Sequence, residues 1–570
     1  MTLDPRALWW DEGRLFLNAS PRRGAHPSNW STFMSDGAPS AADQPAVKPA
    51  ETRRNAFTRF LDGVEWLGNL LPHPVSLFAI LALGIVLLSG LLGSMGVAVI
   101  DPRPAGAPGV AEDGMIRAVS LLDGDGLRRI FTNLVDNFTS FAPLGVVLVA
   151  MLGVGVAEKS GLLSAAVRAM VLGAPKHLVT VAIVFAGIIS NTASEVGYVV
   201  LIPLAGAIFY ALGRHPLAGM AAAFAGVSGG YSANLLIGTI DPLLAGITQE
   251  AARLIDPEYT VVATANWYFM FASTFLITAI GSLVTIYIVE PKLGEYDKSA
   301  ADETILDDRM MEQVSADERK GLRWAGYALL GVLALMALTL APEWGVFRNP
   351  ETGDRIDSPF FDGFVVWILI FFIALGYAYG RAVGTMKTDR DVIDAMAAAL
   401  SSLGLYIVLV FFAAQFVAFF GWTNLGAITA VTGANFLVET GMTGPAIFFM
   451  FILLCAVINL SLGSASAQWA VTAPIFVPML MLIGYAPETI QAAYRIGDST
   501  TNIITPMMSY FGLILAWATR YDRNLGVGTL IAMMLPYSMF FMAFWSVFFY
   551  LWTFVLGIPV GPGSPTFYSV

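Results

Sequence analysis

The chain has 570 residues, of which 56% are hydrophobic and 13% charged, and its formal net charge is −11. Soluble domains carry roughly 25% charged residues, so composition excludes a soluble globular fold for the chain as a whole. The acids lie mainly in loops, so the net charge says little about partners, and a nucleic-acid partner is not expected.

Residues 1–60 are polar, rich in Pro, Ser, Ala and Arg, and lack the apolar core of a signal peptide. They read as a disordered cytoplasmic tail. The composition changes near Met34, so residues 1–33 read as a mis-assigned start; a native N-terminus at residue 1 or 2 would disprove this. Apolar runs follow at Val75–Val99, Phe141–Val156, Trp267–Val289, Trp324–Leu340, Phe361–Tyr379, Leu403–Phe420, Ala446–Leu460 and Ile531–Leu556. Each approaches or reaches the roughly 20 residues that cross a bilayer. They define a first transmembrane half over 61–290, a linker over 291–323, a second half over 324–558 and a tail over 559–570. Cys455 is the only cysteine and lies inside an apolar run, so it reads as a packing residue.

Orientation follows from Lys and Arg in short loops. Arg53, Arg54 and Arg59 precede the first run and place the N-terminus in the cytoplasm. Residues Asp101–Asp125 hold five acids and two Arg, which suits an outside loop. Lys292–Arg323 has six basic residues and Arg381–Arg390 three, and both read as inside. Arg520 and Arg523 precede the last run, leaving the C-terminus outside after an odd number of crossings.

Two apolar regions, about 178–239 and 427–516, are broken by Gly, Pro, Ser, Thr and Asn. Backbone groups freed by such breaks cannot be satisfied by lipid, so these regions must line a cavity or be wrapped by other helices. An ungapped shift of 271 positions lays Ser190–Ser228 on Ser461–Ser499. It matches Ser190/Ser461, Val200/Val471, Pro203/Pro474, Gly213/Gly484, Pro216/Pro487, Ala221/Ala492, Ala222/Ala493, Gly226/Gly497 and Ser228/Ser499. Paired interruptions in two halves are the sequence pointer to a transporter's midplane site. The inverted topology that usually accompanies them is an inference from fold class.

The first region contains "SNTASEVGYVVLIP", where Ser190, Asn191, Thr192 and Glu195 could coordinate a cation or exchange a proton. An acid inside the membrane is costly and reads as functional by default. The second region contains "INLSLGSASAQWA", with Asn459, Ser466, Gln468 and Trp469; the indole offers a face for an aromatic substrate. Then comes "YRIGDSTTN". Its twin "AFAGVSGGY" keeps the Gly and Ser but has Phe224 and Val227 where the second half has Arg495 and Asp498. Those two charges share a helix face and could pair, or meet substrate and proton. Asn502 and Pro506 follow and fit an unwound segment.

"SNTASEVGYVVLIPL", "GVSGGYSANLLIGTIDPLLAGITQEAA" and "YRIGDSTTNIITPMMSYF" resemble the AbgT family of p-aminobenzoyl-glutamate transporters, which includes sulfonamide exporters. The likeness runs from about Asn69 to the last helix. It implies an all-α polytopic membrane protein of about nine transmembrane helices and two re-entrant hairpins, an ion-transporter-like inverted repeat, and a homodimer in the bacterial inner membrane. It implies an ion-coupled carrier, not an enzyme, for p-aminobenzoyl-glutamate-like aromatic carboxylates or sulfonamides, with proton antiport. No cofactor is implied beyond a proton or Na+ as coupling ion. Asn459, Ser466, Trp469, Pro487, Arg495, Asp498 and Pro506 match the family pattern. "SNT"-type tips bind Na+ in related transporters, which makes Ser190, Asn191 and Thr192 Na+ candidates. The family usually has aspartate where this chain has Glu195.

A Na+-coupled dicarboxylate importer is the alternative carrier. A channel would not need two broken repeats. His26, His73, His177 and His215 show no HExxH spacing, which weighs against a metallopeptidase.

Overall fold

The computed structural model describes residues 72–103, 110–193, 197–297 and 314–569, together with the short strand pair Trp10–Asp11 and Arg14–Leu15. Two compact units divide at Arg54 and Asn55; the strand pair belongs to the first, and everything below to the second. The tail boundary near residue 60, Met34 and the acid Glu195 lie outside the described residues.

Helices dominate the second unit. In chain order they begin with α1 (Pro74–Ser94), α2 (Gly124–Thr139), α3 (Ala142–Ser160), α4 (Leu162–Leu172) and α5 (Val179–Ser190). Then come α6 (Ile202–Ala211), α7 (Pro216–Phe224), α8 (Ile240–Ala252), α9 (Trp267–Val284) and α10 (Ala316–Leu340). The second half continues with α11 (Phe364–Val383), α12 (Asp389–Ser402), α13 (Gly404–Trp422), α14 (Leu425–Glu439) and α15 (Ile447–Leu462). It closes with α16 (Ala465–Leu482), α17 (Pro487–Asn502), α18 (Phe511–Ala518) and α19 (Val527–Tyr550). Among the described residues, eight helical stretches are long and apolar enough to cross a membrane, and the α4–α5 pair, bent by 113°, would make a ninth. This is the polytopic all-α architecture expected from the apolar runs.

Local chemistry sets the helix ends. Asp123 accepts a hydrogen bond from the Gly126 N–H and caps α2, and Ser315 with Glu318 forms a capping box on α10. The loop expected to be acidic and outside folds as a small hairpin, Ala98–Ile100 against Met115–Arg117.

The two broken regions fold alike. Gly213 and Gly484 both adopt positive φ, 73° and 97°, a conformation that L side chains resist. Each is followed by a proline, Pro216 or Pro487, in the first turn of a helix. The turn hydrogen bonds correspond as well: Arg214 N to Phe209 O at 2.8 Å, and Tyr485 N to Leu480 O at 3.0 Å. Both pairs keep the offset of 271.

The first arms do not keep it. Asn191 donates to the Val227 carbonyl at 2.9 Å, and Asn459 donates to the Asp498 carbonyl at 2.8 Å. Thr192 meets Asn234, while Thr505 meets the Leu460 carbonyl. In each case the first-arm residues are related by 268 and their partners by 271. The ungapped alignment is therefore three residues out along α5 and α15: Asn191 corresponds to Asn459, and the match of Ser190 to Ser461 dissolves. The second tip is three residues longer.

Close backbone crossing explains the shared glycines. A Cβ on Gly226 would lie 2.4 Å from the Val184 carbonyl oxygen, and one on Gly497 would lie 2.5 Å from the Ile452 carbonyl oxygen. We expect Gly497→Val to destabilise the protein by about 1–3 kcal/mol or more, because the clash is with backbone. Gly512→Ala, where nothing lies within 4 Å, should stay within about 0.5 kcal/mol. Melting temperatures in detergent would separate the two.

Candidate functional site

The breaks converge on one cavity of about 360 Å³, within the range of small-ligand sites. Asn191, Tyr198, Tyr231, Thr239 and Ile240 line it from the first broken region, and Gly463–Ser466, Asn502 and Tyr510 from the second. Leu403 and Tyr406 of α13 and its approach close another side. Tyr198 and Tyr510 stack with ring centroids 4.5 Å apart and planes 9° apart, which makes an aromatic wall out of one residue from each half. Ser464 opens α16 without a side-chain cap, and Gly463–Ser466, at the start of this 18-residue helix, line the cavity. A helix start of this kind favours an anion.

Behind the cavity lies α17. All 16 of its residues are buried, although it carries Glu488, Gln491, Arg495, Asp498 and Asn502. Polar groups buried in this way must find partners, and most of them do. Glu488 accepts from the Tyr259 hydroxyl at 2.9 Å. Gln491 donates to Asn266 at 2.8 Å and accepts from Thr248 at 2.5 Å, and Thr248 accepts from the Trp469 indole N–H at 2.9 Å. Asn459 gathers the far end: its amide donates to the Asp498 carbonyl, to Thr501 at 3.0 Å and to the Asn502 side-chain oxygen at 2.8 Å.

The charged residues resolve differently from the i, i+3 pairing open at the sequence level. Arg495 pairs with Asp241, at the start of α8, with 2.6 Å between Nη2 and Oδ1. Asp241 Oδ2 also accepts from the Gly238 N–H at 2.6 Å. Asp498 makes no ion pair among the described residues and has the Asn502 side chain as its hydrogen-bonding neighbour, while Nε and Nη1 of Arg495 have no hydrogen-bond partner among them.

The expected site residues therefore fall into two layers. Asn191, Ser466 and Asn502 line the cavity; Asn459, Arg495 and Asp498 stand behind it. Trp469 is fully buried, and its ring stacks on Tyr494 at 4.2 Å, so in this conformation its face is taken by a residue of α17. Pro487 starts α17 and Pro506 sits in the turn after it. Ser190 donates to the Gly187 carbonyl at 2.6 Å and Thr192 to Asn234 at 2.9 Å. The carbonyl oxygen of the Asn191 side chain has no partner among the described residues. Sequence reasoning passed over Asp241 and Glu488. The rule that flagged Glu195, an acid within an apolar stretch, applies to both.

The chain matches the model of the "AbgT putative transporter family" over residues 59–568. It is 36% identical over 500 residues to the p-aminobenzoyl-glutamate transport protein of Escherichia coli (strain K12), covering 88% of this chain and 95% of that one. Among solved structures, it superposes on the YdaH transporter of Alcanivorax borkumensis with a TM-score of 0.79 and 46% identity, covering 86% of this chain and all of that one. It also superposes on MtrF of Neisseria gonorrhoeae, from a class of antimetabolite efflux pumps, with a TM-score of 0.84 and 60% identity, covering 89% of this chain and all of that one. With the fold, the paired breaks and the family model running over nearly the whole described length, the chain belongs to the AbgT family of membrane transporters.

Proposed function

We propose that the protein is a proton-coupled secondary carrier that exports p-aminobenzoyl-glutamate-like aromatic carboxylates and sulfonamide antimetabolites. The observation that carries this reading is the two-layer site: a cavity built by both broken halves, backed by a wholly buried helix that holds one guanidinium and, outside its ion pair, the Asp498 carboxylate. The named relatives, a p-aminobenzoyl-glutamate transport protein and an antimetabolite efflux pump, support the substrate class. The aminobenzoyl ring would lie against the Tyr198–Tyr510 wall, and its carboxylate would sit at the start of α16 beside Ser466 and Asn502. Inverted topology of the two halves, re-entrant hairpins, a homodimer in the bacterial inner membrane and a cytoplasmic N-terminus belong to the same proposal. The recurring crossings support the paired hairpins and the loop charges support the cytoplasmic N-terminus, while the homodimer and the inner membrane rest on the family resemblance.

Substrate flux in proteoliposomes under separately imposed proton and Na+ gradients tests the reading. Flux driven by the proton gradient alone is the expected result; flux that needs Na+ and ignores pH would overturn it. Within the cavity, Tyr198→Ala is expected to raise KM about two- to tenfold, the worth of an aromatic contact, with maximal rate little changed. A purely apolar leucine at this position should not restore KM.

A further inference from the structure

We propose that Asp241 and Asp498 share the single guanidinium of Arg495, which pairs with one carboxylate while the other holds a proton, so that Asp241 is half of the proton switch. The proposal rests on the proton-coupled reading above and adds a residue to it. Three charged side chains from two elements, α8 and α17, lie together with 1–2% of their surface exposed. If both acids were ionised, the group would keep one uncompensated buried negative charge, which is costly. One proton removes it.

The geometry identifies which acid is paired in this conformation. Asp241 has the guanidinium and the Gly238 N–H. Asp498 has only the neutral Asn502 side chain beside it, although Arg495 is three residues away on the same helix and still has Nε and Nη1 free of partners among the described residues. The other titratable side chains facing the two acids are Tyr231, Tyr494 and Cys455; all are neutral when protonated, so none can replace the guanidinium. A rotation of the Arg495 side chain would exchange its partner. Asp498 would then lose one proton and Asp241 would gain one, and the trio would remain neutral throughout. α8 also supplies Ile240 to the cavity wall, so movement of substrate there bears directly on the residue next to Asp241.

Infrared spectroscopy of the purified protein at neutral pH tests this without relying on transport. A protonated-carboxyl C=O band that disappears in Asp498→Asn is expected in the wild type. In Asp241→Asn the same band should be lost, because Arg495 is released to pair with Asp498 and ionises it; Asp241→Glu should keep it. Should Asp241→Asn fail to fold, Arg495→Gln serves instead, and a second carboxyl band should appear as both acids become neutral. A wild type without an Asp498 band, a band that survives in Asp241→Asn, or an Arg495→Gln spectrum with no added band would each overturn the proposal. Proteoliposome flux is read separately: if the band behaves as expected but wild-type flux ignores the proton gradient, the coupling reading fails and the shared guanidinium stands.

Discussion

Arg495→Met should be among the most damaging single substitutions in this protein. Removing the guanidinium leaves Asp241 buried with only the Gly238 N–H as a donor. Breaking one side of a buried ion pair costs about 3–5 kcal/mol, because the remaining carboxylate must either stay uncompensated or take up a proton to be buried neutral. The loss should appear as a large fall in melting temperature in detergent. Adding Asp241→Leu to Arg495→Met should recover much of it, since an apolar replacement of both partners removes the stranded charge. A double variant as unstable as the single one would show that Arg495 stabilises the fold through something other than Asp241. Arg117 and Asp113 provide the contrast: their side chains are 59% and 50% exposed, and deleting that pair should cost no more than about 1 kcal/mol.

The parts of this architecture that could be read from sequence are those whose residues have a local conformational demand. Gly213 and Gly484 need positive φ, and Pro216 and Pro487 suit a helix start, so their shared spacing exposed the repeat. The three-residue difference at the tips escaped because α5 and α15 are apolar and nearly featureless in sequence. Nothing local fixes their register; the side-chain hydrogen bonds of Asn191 and Asn459 do, and they reach 36 and 39 residues along the chain. The partner of Arg495 was hidden for a similar reason. Asp241 lies 254 residues away, whereas Asp498 lies one turn away and satisfies the usual helical spacing. Tertiary packing brought α8 against α17 and overrode the local choice. Trp469 carries the same lesson: the sequence offers its indole to a substrate, but Tyr494 covers it and Thr248 accepts its N–H.

Asp498→Asn is expected to reduce proton-driven flux to the level of empty liposomes. Asparagine fills nearly the same volume and can occupy the same buried place, so the change is one of charge rather than packing. It imitates the neutral state of Asp498 and removes the ionised one. With no second carboxylate to attract it, Arg495 would stay on Asp241, and the site would be held in the arrangement seen here. Melting temperature should therefore change little, because the Arg495–Asp241 pair is kept and an asparagine can still hydrogen-bond the Asn502 side chain. The contrast with Arg495→Met is the useful part: one substitution should cost stability, and the other should spare stability and stop the cycle. Flux in Asp498→Asn that still follows the imposed pH gradient would take Asp498 out of the proton path and shift attention to Glu195.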